Sequence, residues 1–294
     1  MMVYLKLLLT AFFWGGTFIA GRYVVRDVGP FSAAFLRFAI ASILLLLLTW
    51  RAENSLPRFG KEQVLPLIFL GMTGVFAYNV FFFKGLKLVN AGRASVIIAN
   101  NPVFIALLAA YFFDEKLSWI KISGIIISVI GAIVVISRGS LGQILSGGVG
   151  WGEVFILGCV GSWVAYSLIG KVVMRELSPL VSVTYSSVVG AACLFIPASF
   201  EGLIRNFYHY SGMDWISISY LGIFGTVIGF VWYYEGIKAI GPTKAGQFIN
   251  FVPISAIVLA FLMLGEPVSP SLLVGTLLVI SGVYLTNSTF GATT

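Results

Sequence analysis

Charged residues are scarce in this chain. Asp, Glu, Lys and Arg make up 10% of its 294 residues, whereas a water-soluble domain carries about 25%. Histidine occurs once, as His209, and the two cysteines, Cys159 and Cys193, lie inside apolar stretches. These numbers exclude a disulfide framework and the ligand spacings of a metal site. We therefore expect a protein whose solvent is lipid, with no metal and no cofactor.

Acidic residues are missing from the middle of every apolar stretch. Asp27, Asp114 and Asp214 lie in loops, and every Glu lies in a loop or near the end of a stretch. A proton-driven carrier usually needs a titratable group within the membrane. We therefore expect facilitated diffusion or exchange rather than tight proton coupling. Glu153, just inside the sixth stretch, is the first residue to suspect should coupling be found.

Long apolar runs fill the rest of the chain, which is 59% hydrophobic with a mean hydropathy of +1.01. A membrane-spanning helix needs roughly 20 mostly apolar residues. Ten stretches meet that requirement, so the chain is predicted to be an all-α membrane protein with ten transmembrane helices. They are Val3–Arg22, Phe31–Trp50, Val64–Phe83, Ala94–Phe113, Trp119–Ser137, Gly150–Gly170, Leu180–Phe200, Trp215–Tyr234, Ala245–Leu264 and Ser271–Thr286. The first is expected to be a retained span rather than a signal peptide, because it has a counterpart in the second half.

The second half of the chain repeats the first. Shifted by 151 positions, Lys84–Val135 aligns without a gap on Glu235–Thr286, and a shift of 149 aligns Trp14 with Trp163. Each half has an odd number of spans, so the halves must be inverted relative to each other. Two inverted halves around a midplane cavity are typical of alternating-access transporters. The predicted units are residues 1–137 and 150–294, joined by a linker at 138–149.

The basic residues indicate the orientation. With the N-terminus inside, ten Lys and Arg residues fall on the cytoplasmic side and seven on the other. Cytoplasmic loops carry the excess of positive charge, so both termini are predicted to be cytoplasmic. The net charge of +7 lies in short loops. Lipid headgroups explain it better than nucleic acid does, because no loop offers a folded basic surface.

Pro102 and Pro253 are matched by the repeat and fall near the middle of the fourth and ninth spans. A mid-helix proline removes a backbone hydrogen bond, and in lipid the freed carbonyl must find another partner. The two prolines are predicted to act as hinges or gates, with static kinks as the alternative.

Four amides precede these prolines. Asn100 and Asn101 precede the first, and Gln247 and Asn250 precede the second. Amides avoid lipid and face a cavity or another helix. They either bind substrate or satisfy the carbonyls that proline frees. We favour the second role for Asn100 and Asn101, and predict that Gln247 and Asn250 contact substrate.

Arg37 is the only full charge well inside a span, and its repeat counterpart is Ser186. Intramembrane charges usually face protein or water. Arg37 could pair with a substrate carboxylate, for which guanidinium geometry is suited. The alternative is that it snorkels to the nearby interface or binds neighbouring carbonyls, and we favour this alternative.

Mid-span aromatic residues lie far from the interfaces that Trp and Tyr prefer, and their polar atoms need partners. A cavity would supply those partners, although aromatic helix packing is an equal alternative. The residues that we expect to line a substrate pocket are Trp14, Tyr78, Phe82, Trp163 and Tyr166.

Acidic residues precede three spans and suggest helix caps. Glu115 with Ser118 and Glu266 with Ser269 repeat one layout, and Glu153 begins the sixth span. An acid near a helix N-terminus interacts favourably with the free amides. We expect all three Glu residues to cap the helix that follows.

Several local patterns resemble the drug/metabolite transporter superfamily, EamA family. They are Trp14-Gly15, Leu36-Arg37-Phe38, Asn101-Pro102, Glu115-Lys116-Leu117-Ser118, Val252-Pro253, Glu266-Pro267-Val268-Ser269, and the Gly124…Gly131 and Gly275…Gly282 spacings. The resemblance covers essentially the whole chain. It implies two inverted five-helix repeats, alternating access, a bacterial inner membrane and export of small metabolites. The chain is most similar to the YddG type of aromatic amino-acid exporter.

Three other classes of protein fit less well. A membrane-embedded enzyme needs a nucleophile, a base or a metal cluster in its spans, and the sequence shows no Ser or Cys with a His, no paired intramembrane acids and no His-x-x-x-His. A channel needs a continuous polar lining, and a scaffold needs no matched prolines. We therefore expect a carrier that exports amino acids, aromatic or otherwise apolar, with another metabolite or drug as the alternative. Its expected partners are the small solute and the lipid bilayer, with no nucleic acid and no obligate protein.

Overall fold

The computed structural model describes residues 2–57, 60–113, 118–139 and 149–287, and every regular element in these ranges is helical. Nine of the described helices are long and apolar enough to cross a membrane, and a shorter apolar helix follows them. They are α1 (Met2–Asp27), α2 (Pro30–Glu53), α3 (Lys61–Leu88), α4 (Ala91–Phe112), α5 (Trp119–Ile136), α6 (Trp151–Val173), α7 (Pro179–Phe200), α8 (Gly212–Ile240), α9 (Lys244–Leu264) and α10 (Pro270–Asn287). The prediction of an all-α membrane protein is confirmed.

Helices α5 and α10 show that the two halves are inverted. These helices are matched by the repeat, and they pack closely through glycines. A Cβ on Gly124 would lie 2.6 Å from the carbonyl oxygen of Gly282, and a Cβ on Gly131 would lie 2.8 Å from that of Gly275. As residue numbers rise along α5, the contacted residues fall along α10, so the helices run antiparallel. Small residues allow this approach of two backbones.

The third span of each half contains a π-helical turn. In α3 the π turn is Gly71–Ala77, and in α8 it is Ile223–Ile228. The repeat places these two turns at equivalent positions. A π turn changes the hydrogen-bonding register, and such turns are frequent at functional sites.

Helices α4 and α9 are interrupted. Helix α4 consists of two segments, Ala91–Ile98 and Asn101–Phe113. Pro102 and Pro253 are each the second residue of a new helical segment, and neither kinks a continuous helix. The prolines therefore sit where a helix needs no N–H donor. In α9, Pro242–Gln247 is followed by the 3₁₀ turn Phe248–Phe251, the α-helix Val252–Leu259 and the π turn Ala260–Leu264. Sequence periodicity predicted neither interruption.

Ion pairs join the helices at both ends of the bundle. Where α1 begins, Lys6 Nζ lies 2.7 Å from Glu235 Oε2. At the opposite end, Arg22 Nε lies 3.6 Å from Glu266 Oε1 and Arg93 Nη2 lies 3.2 Å from Glu153 Oε1.

Two of the expected helix caps are wrong. The Glu266 carboxylate accepts hydrogen bonds from the backbone N–H groups of Ala91 (3.0 Å) and Gly92 (3.2 Å), so it caps α4 rather than its own α10. Glu153 pairs with Arg93, and Gly150 is the N-cap of α6 without a side-chain bond. Ser118 and Ser269 do cap the helices that follow them. The Glu115–Leu117 motif and most of the 138–149 linker lie outside the described residues.

Candidate functional site

A small cavity of about 30 Å³ lies between the two halves. Its walls come from seven helices, α1, α2, α3, α4, α6, α8 and α9. The lining residues are Trp14, Thr17, Phe18, Arg37, Tyr78, Phe82, Ile98, Asn101, Trp163, Phe230, Ile249 and Val252. Pockets that bind drug-sized molecules measure about 300–1,000 Å³. The helices must therefore move apart before an organic solute fits.

Arg37 is buried in the wall of this cavity, with 3% of its surface exposed. Its Nε donates to Thr226 Oγ1 over 2.9 Å and its Nη1 donates to Asn79 Oδ1 over 2.8 Å. Within the described residues, Arg37 Nη2 makes no hydrogen bond, and no Asp or Glu carboxylate lies within ion-pair distance of the guanidinium. Arg37 therefore does not snorkel to the interface, as one form of the favoured interpretation had it, but its bond to the side-chain carbonyl of Asn79 agrees with the other form, in which it binds neighbouring carbonyls.

The two partners of Arg37 are themselves held by the π turns. Thr226 lies within the π turn of α8 and donates its hydroxyl to Leu221 O over 3.0 Å. Asn79 follows the π turn of α3 and donates from Nδ2 to Val75 O over 2.8 Å. Each half thus contributes one neutral acceptor to the guanidinium. These acceptors orient the charge without neutralising it, so the cavity wall carries a net positive charge.

Aromatic rings form most of the remaining wall. Trp14 and Trp163, which the repeat matches, contact each other with centroids 5.2 Å apart and planes at 87°. Tyr78 stacks on Phe82 at 6.0 Å. Phe230 packs against Trp163 at 5.2 Å, and the guanidinium carbon of Arg37 lies 6.0 Å from the Phe230 ring. Such a wall suits the apolar part of a solute.

The two matched tryptophans differ in their hydrogen bonds. Trp14 Nε1 donates over 3.0 Å to Gly225 O, a carbonyl in the π turn of α8. Trp163 Nε1 makes no hydrogen bond of good geometry within the described residues, although the Tyr233 hydroxyl is close to it. In the repeat, Gly74 is equivalent to Gly225, so its carbonyl is the acceptor that symmetry would give to Trp163. That carbonyl accepts a 3.4 Å hydrogen bond from Asn79 Nδ2 instead. The two halves are therefore not equivalent at the cavity.

Asn100 and Asn101 differ although they are adjacent. Asn100 Nδ2 lies 3.2 Å from Val96 O and 3.3 Å from Ile97 O, and Asn100 Oδ1 accepts from Ser128 Oγ over 2.8 Å. Asn100 therefore bonds carbonyls just before the break in α4, although not that of Ile98, which lies four residues before Pro102 and is the one that the proline frees. Asn101 lines the cavity instead, and its Oδ1 has no hydrogen-bond partner among the described residues. The structural role expected for Asn101 is not observed.

Of the predicted pocket residues, Trp14, Arg37, Tyr78, Phe82 and Trp163 meet at the cavity. The other three lie outside its lining. Tyr166 packs behind it, with its ring 5.0 Å from that of Tyr234. Gln247 and Asn250 lie at the end of the first α9 segment and in the following 3₁₀ turn. Their contact with substrate remains a prediction, as does gating by Pro102 and Pro253.

Sequence reasoning missed Asn79, Thr226 and Phe230. Asn79 and Thr226 are polar residues in apolar spans, and that signal alone could have identified them. Nothing in the spacing of Phe230 distinguishes it from a lipid-facing aromatic residue.

A larger cavity of about 350 Å³ opens among the ends of α3, α4 and α5 and the α9–α10 connection. Its charged residues include Arg93 and Glu266, which are paired with Glu153 and Arg22. Arg138 lines this cavity as well and has no ion pair among the described residues, but it lies at the end of the bundle, whereas Arg37 lies between the two halves.

The apolar bundle, the inverted halves and the charged central cavity define a membrane transporter rather than an enzyme. The EamA-like transporter family matches residues 1–137 and 150–288, and the chain belongs to that family. In the residues that the structure covers, no group of three or more His, Cys, Asp or Glu side chains could hold a metal ion.

Relatives of the chain are described as transporters. It is 29% identical to the uncharacterized transporter YyaM of Bacillus subtilis over 96% of this chain and 92% of that protein. It is 31% identical to an uncharacterized transporter of Archaeoglobus fulgidus, covering 96% and 97% of the two chains. A probable terminal-alkyne amino-acid exporter of Streptantibioticus cattleyicolor is 30% identical over 96% of this chain and 92% of that protein. A solved crystal structure of another protein shares the fold with a TM-score of 0.69 and 18% identity, covering 97% and 98% of the two chains.

Proposed function

We propose that this transporter exports amino acids with an aromatic or other apolar side chain. The solute binds in the central cavity during alternating access between the two inverted halves. Its carboxylate pairs with Arg37, and its side chain packs among the aromatic rings. Transport is facilitated diffusion or exchange. The protein lies in the inner membrane with both termini in the cytoplasm.

One observation supports this proposal above all others, namely the positive charge of Arg37 without a counter-ion. Burial of an ion costs several kcal/mol unless an opposite charge compensates it. Thr226 and Asn79 supply hydrogen bonds but no charge. A carboxylate that enters the cavity would complete the ion pair through Nη2, which has no partner among the described residues.

The aromatic wall supports an apolar side chain on the same solute. Trp14, Tyr78, Phe82 and Trp163 present ring faces and edges that gain from packing against another apolar group. The relative from Streptantibioticus cattleyicolor is described as a probable amino-acid exporter, which is consistent with this solute class and with outward transport.

The residues of the cavity wall support a mechanism without tight proton coupling. No Asp or Glu belongs to the described lining, and Glu153 is engaged with Arg93 at one end of the bundle. Transport at equal pH on both sides is therefore expected to proceed down the amino-acid gradient. Accumulation against that gradient only when a pH difference is imposed would contradict this expectation.

A thermal-shift screen of the purified protein tests the solute class. A ligand that binds only the folded form raises the unfolding temperature. Aromatic and large aliphatic amino acids are expected to stabilise the protein at millimolar concentration, whereas the corresponding amino-acid amides, which lack a carboxylate, are not. Stabilisation by neutral drugs or nucleosides but not by amino acids would instead favour the alternative, a carrier of other metabolites.

A further inference from the structure

The side chain of Asn101 has a hydrogen-bonding capacity that the fold does not use. The residue is 1% exposed, and its Oδ1 is enclosed in the cavity wall without a partner in the described ranges. Buried amide oxygens in folded proteins nearly always accept a hydrogen bond. An unused acceptor in the wall of a solute cavity is available to a donor that arrives with the solute.

The Oδ1 atom of Asn101 takes no part in the hydrogen bonds at the break in α4. The carbonyls of Val96 and Ile97 are bonded by Asn100, not by Asn101. The repeat provides an internal comparison, because the residue equivalent to Asn101 is Val252. Val252 precedes Pro253, begins a helical segment after a break and lines the same cavity. The second half therefore begins the helical segment that contains the matched proline with an apolar side chain.

The rest of the cavity indicates which donor Asn101 accepts from. Arg37 attracts a carboxylate, and the described lining holds no acid that would attract a lone cation. Tryptophan ring faces attract cations, and Trp14 and Trp163 both line the cavity, so an ammonium group in the cavity would lie near aromatic rings. An ammonium group also brings three N–H donors, more than any other small substituent.

We propose that Asn101 is a specificity-determining residue that accepts a hydrogen bond from the α-ammonium group of the substrate. The substrate class is then the zwitterionic α-amino acids, with the carboxylate on Arg37 and the ammonium group on Asn101. This inference rests on the proposed function but goes beyond it, because Arg37 and the aromatic wall alone would accept any apolar carboxylate.

The test compares two ligands that differ only in the ammonium group. One is phenylalanine, and the other is 3-phenylpropanoate, which keeps the ring and the carboxylate. Affinities are measured by ligand-induced thermal shift on wild type, on Asn101→Val, which copies the residue of the second half, and on Asn101→Thr, which matches valine in shape but restores an acceptor. The unfolding temperature without ligand shows that each variant folds.

We expect Asn101→Val to bind phenylalanine about 10- to 100-fold more weakly, the range for a lost hydrogen bond to a charged group. Its affinity for 3-phenylpropanoate stays within about threefold of wild type, and Asn101→Thr recovers part of the loss. Equal weakening of both ligands, or unchanged phenylalanine binding, overturns the role of Asn101 while leaving the proposed function intact. Failure of wild type to bind either carboxylate overturns both.

If Asn101→Val does not fold, the double variant Asn101→Val with Val252→Asn decides the question, since it moves the amide to the equivalent position across the cavity. In that case the wild-type protein must also bind phenylalanine more tightly than 3-phenylpropanoate, by a factor of about 10 or more. Equal affinity of wild type for the two ligands overturns the inference without any variant.

Discussion

Replacement of Arg37 by glutamine separates the cost of its burial from its benefit to binding. The guanidinium is 3% exposed and bonded only to neutral groups. Glutamine removes the charge but keeps an amide N–H that can donate to Asn79 or Thr226. Loss of one charged hydrogen bond costs about 1.5–3 kcal/mol, whereas relief of the buried charge returns several kcal/mol. The unfolding temperature without ligand is therefore expected to stay the same or to rise.

Ligand binding is expected to change in the opposite direction. Removal of one member of a buried, hydrogen-bonded charge pair typically costs about 2–5 kcal/mol of binding energy. A loss of about 3 kcal/mol corresponds to roughly a hundredfold weaker affinity for an aromatic amino acid. Arg37→Lys keeps the charge but loses the planar fork, so it should bind with intermediate affinity.

The assay is ligand-induced thermal shift in detergent, with the unliganded unfolding temperature of each variant as the baseline. An Arg37→Gln protein that folds and retains its affinity for the amino acid within threefold would refute the assignment of the carboxylate to Arg37. A marked fall in the unfolding temperature without ligand would refute the claim that the buried charge of Arg37 lowers the stability of the unliganded protein.

Three further predictions concern the unfolding temperature in the same assay. Gly282→Ala places a Cβ 2.4 Å from a backbone nitrogen of α5 and should destabilise the bundle by about 1–3 kcal/mol, whereas Gly161→Ala, which meets no atom within 4 Å, should have no such effect. Glu266→Gln weakens both the α4 cap and the pair with α1, at a cost of about 1–2 kcal/mol; an unchanged temperature would argue against that cap. Trp14→Phe removes the hydrogen bond to the Gly225 carbonyl in the π turn, whereas Trp163→Phe breaks no well-formed hydrogen bond, so the first variant should be less stable than the second. Equal effects of the two substitutions would contradict the asymmetry of the two halves.

The helical bundle could be predicted from the sequence because its signals are local. Lipid demands apolar runs of fixed length, and the repeat from Lys84 to Thr286 revealed the inversion. The bounds of α4 and α9 were less accessible, because hydropathy does not distinguish a continuous span from two segments that begin at Pro102 or Pro253. The prolines pointed to the correct positions but not to the form of the interruption.

The candidate site was predicted in part, and the failures have a common cause. Trp14, Tyr78 and Trp163 were recognised because aromatic residues are unusual in the middle of a span. The environment of Arg37 was misjudged, because its partners Asn79 and Thr226 lie 42 and 189 residues further along the chain. Glu266 was likewise assigned to the adjacent helix, whereas it caps one 175 residues away. Contacts between distant helices leave no mark in the local spacing of residues.

Counterflow in proteoliposomes tests most directly whether the charged central cavity carries amino acids across the membrane. Vesicles loaded with unlabelled phenylalanine are diluted into a trace of the labelled amino acid at equal pH on both sides. The account predicts a transient accumulation of label above equilibrium that saturates with concentration in wild type and is absent in Arg37→Gln. Flux that rises linearly without accumulation, or equal counterflow in wild type and Arg37→Gln, would contradict it.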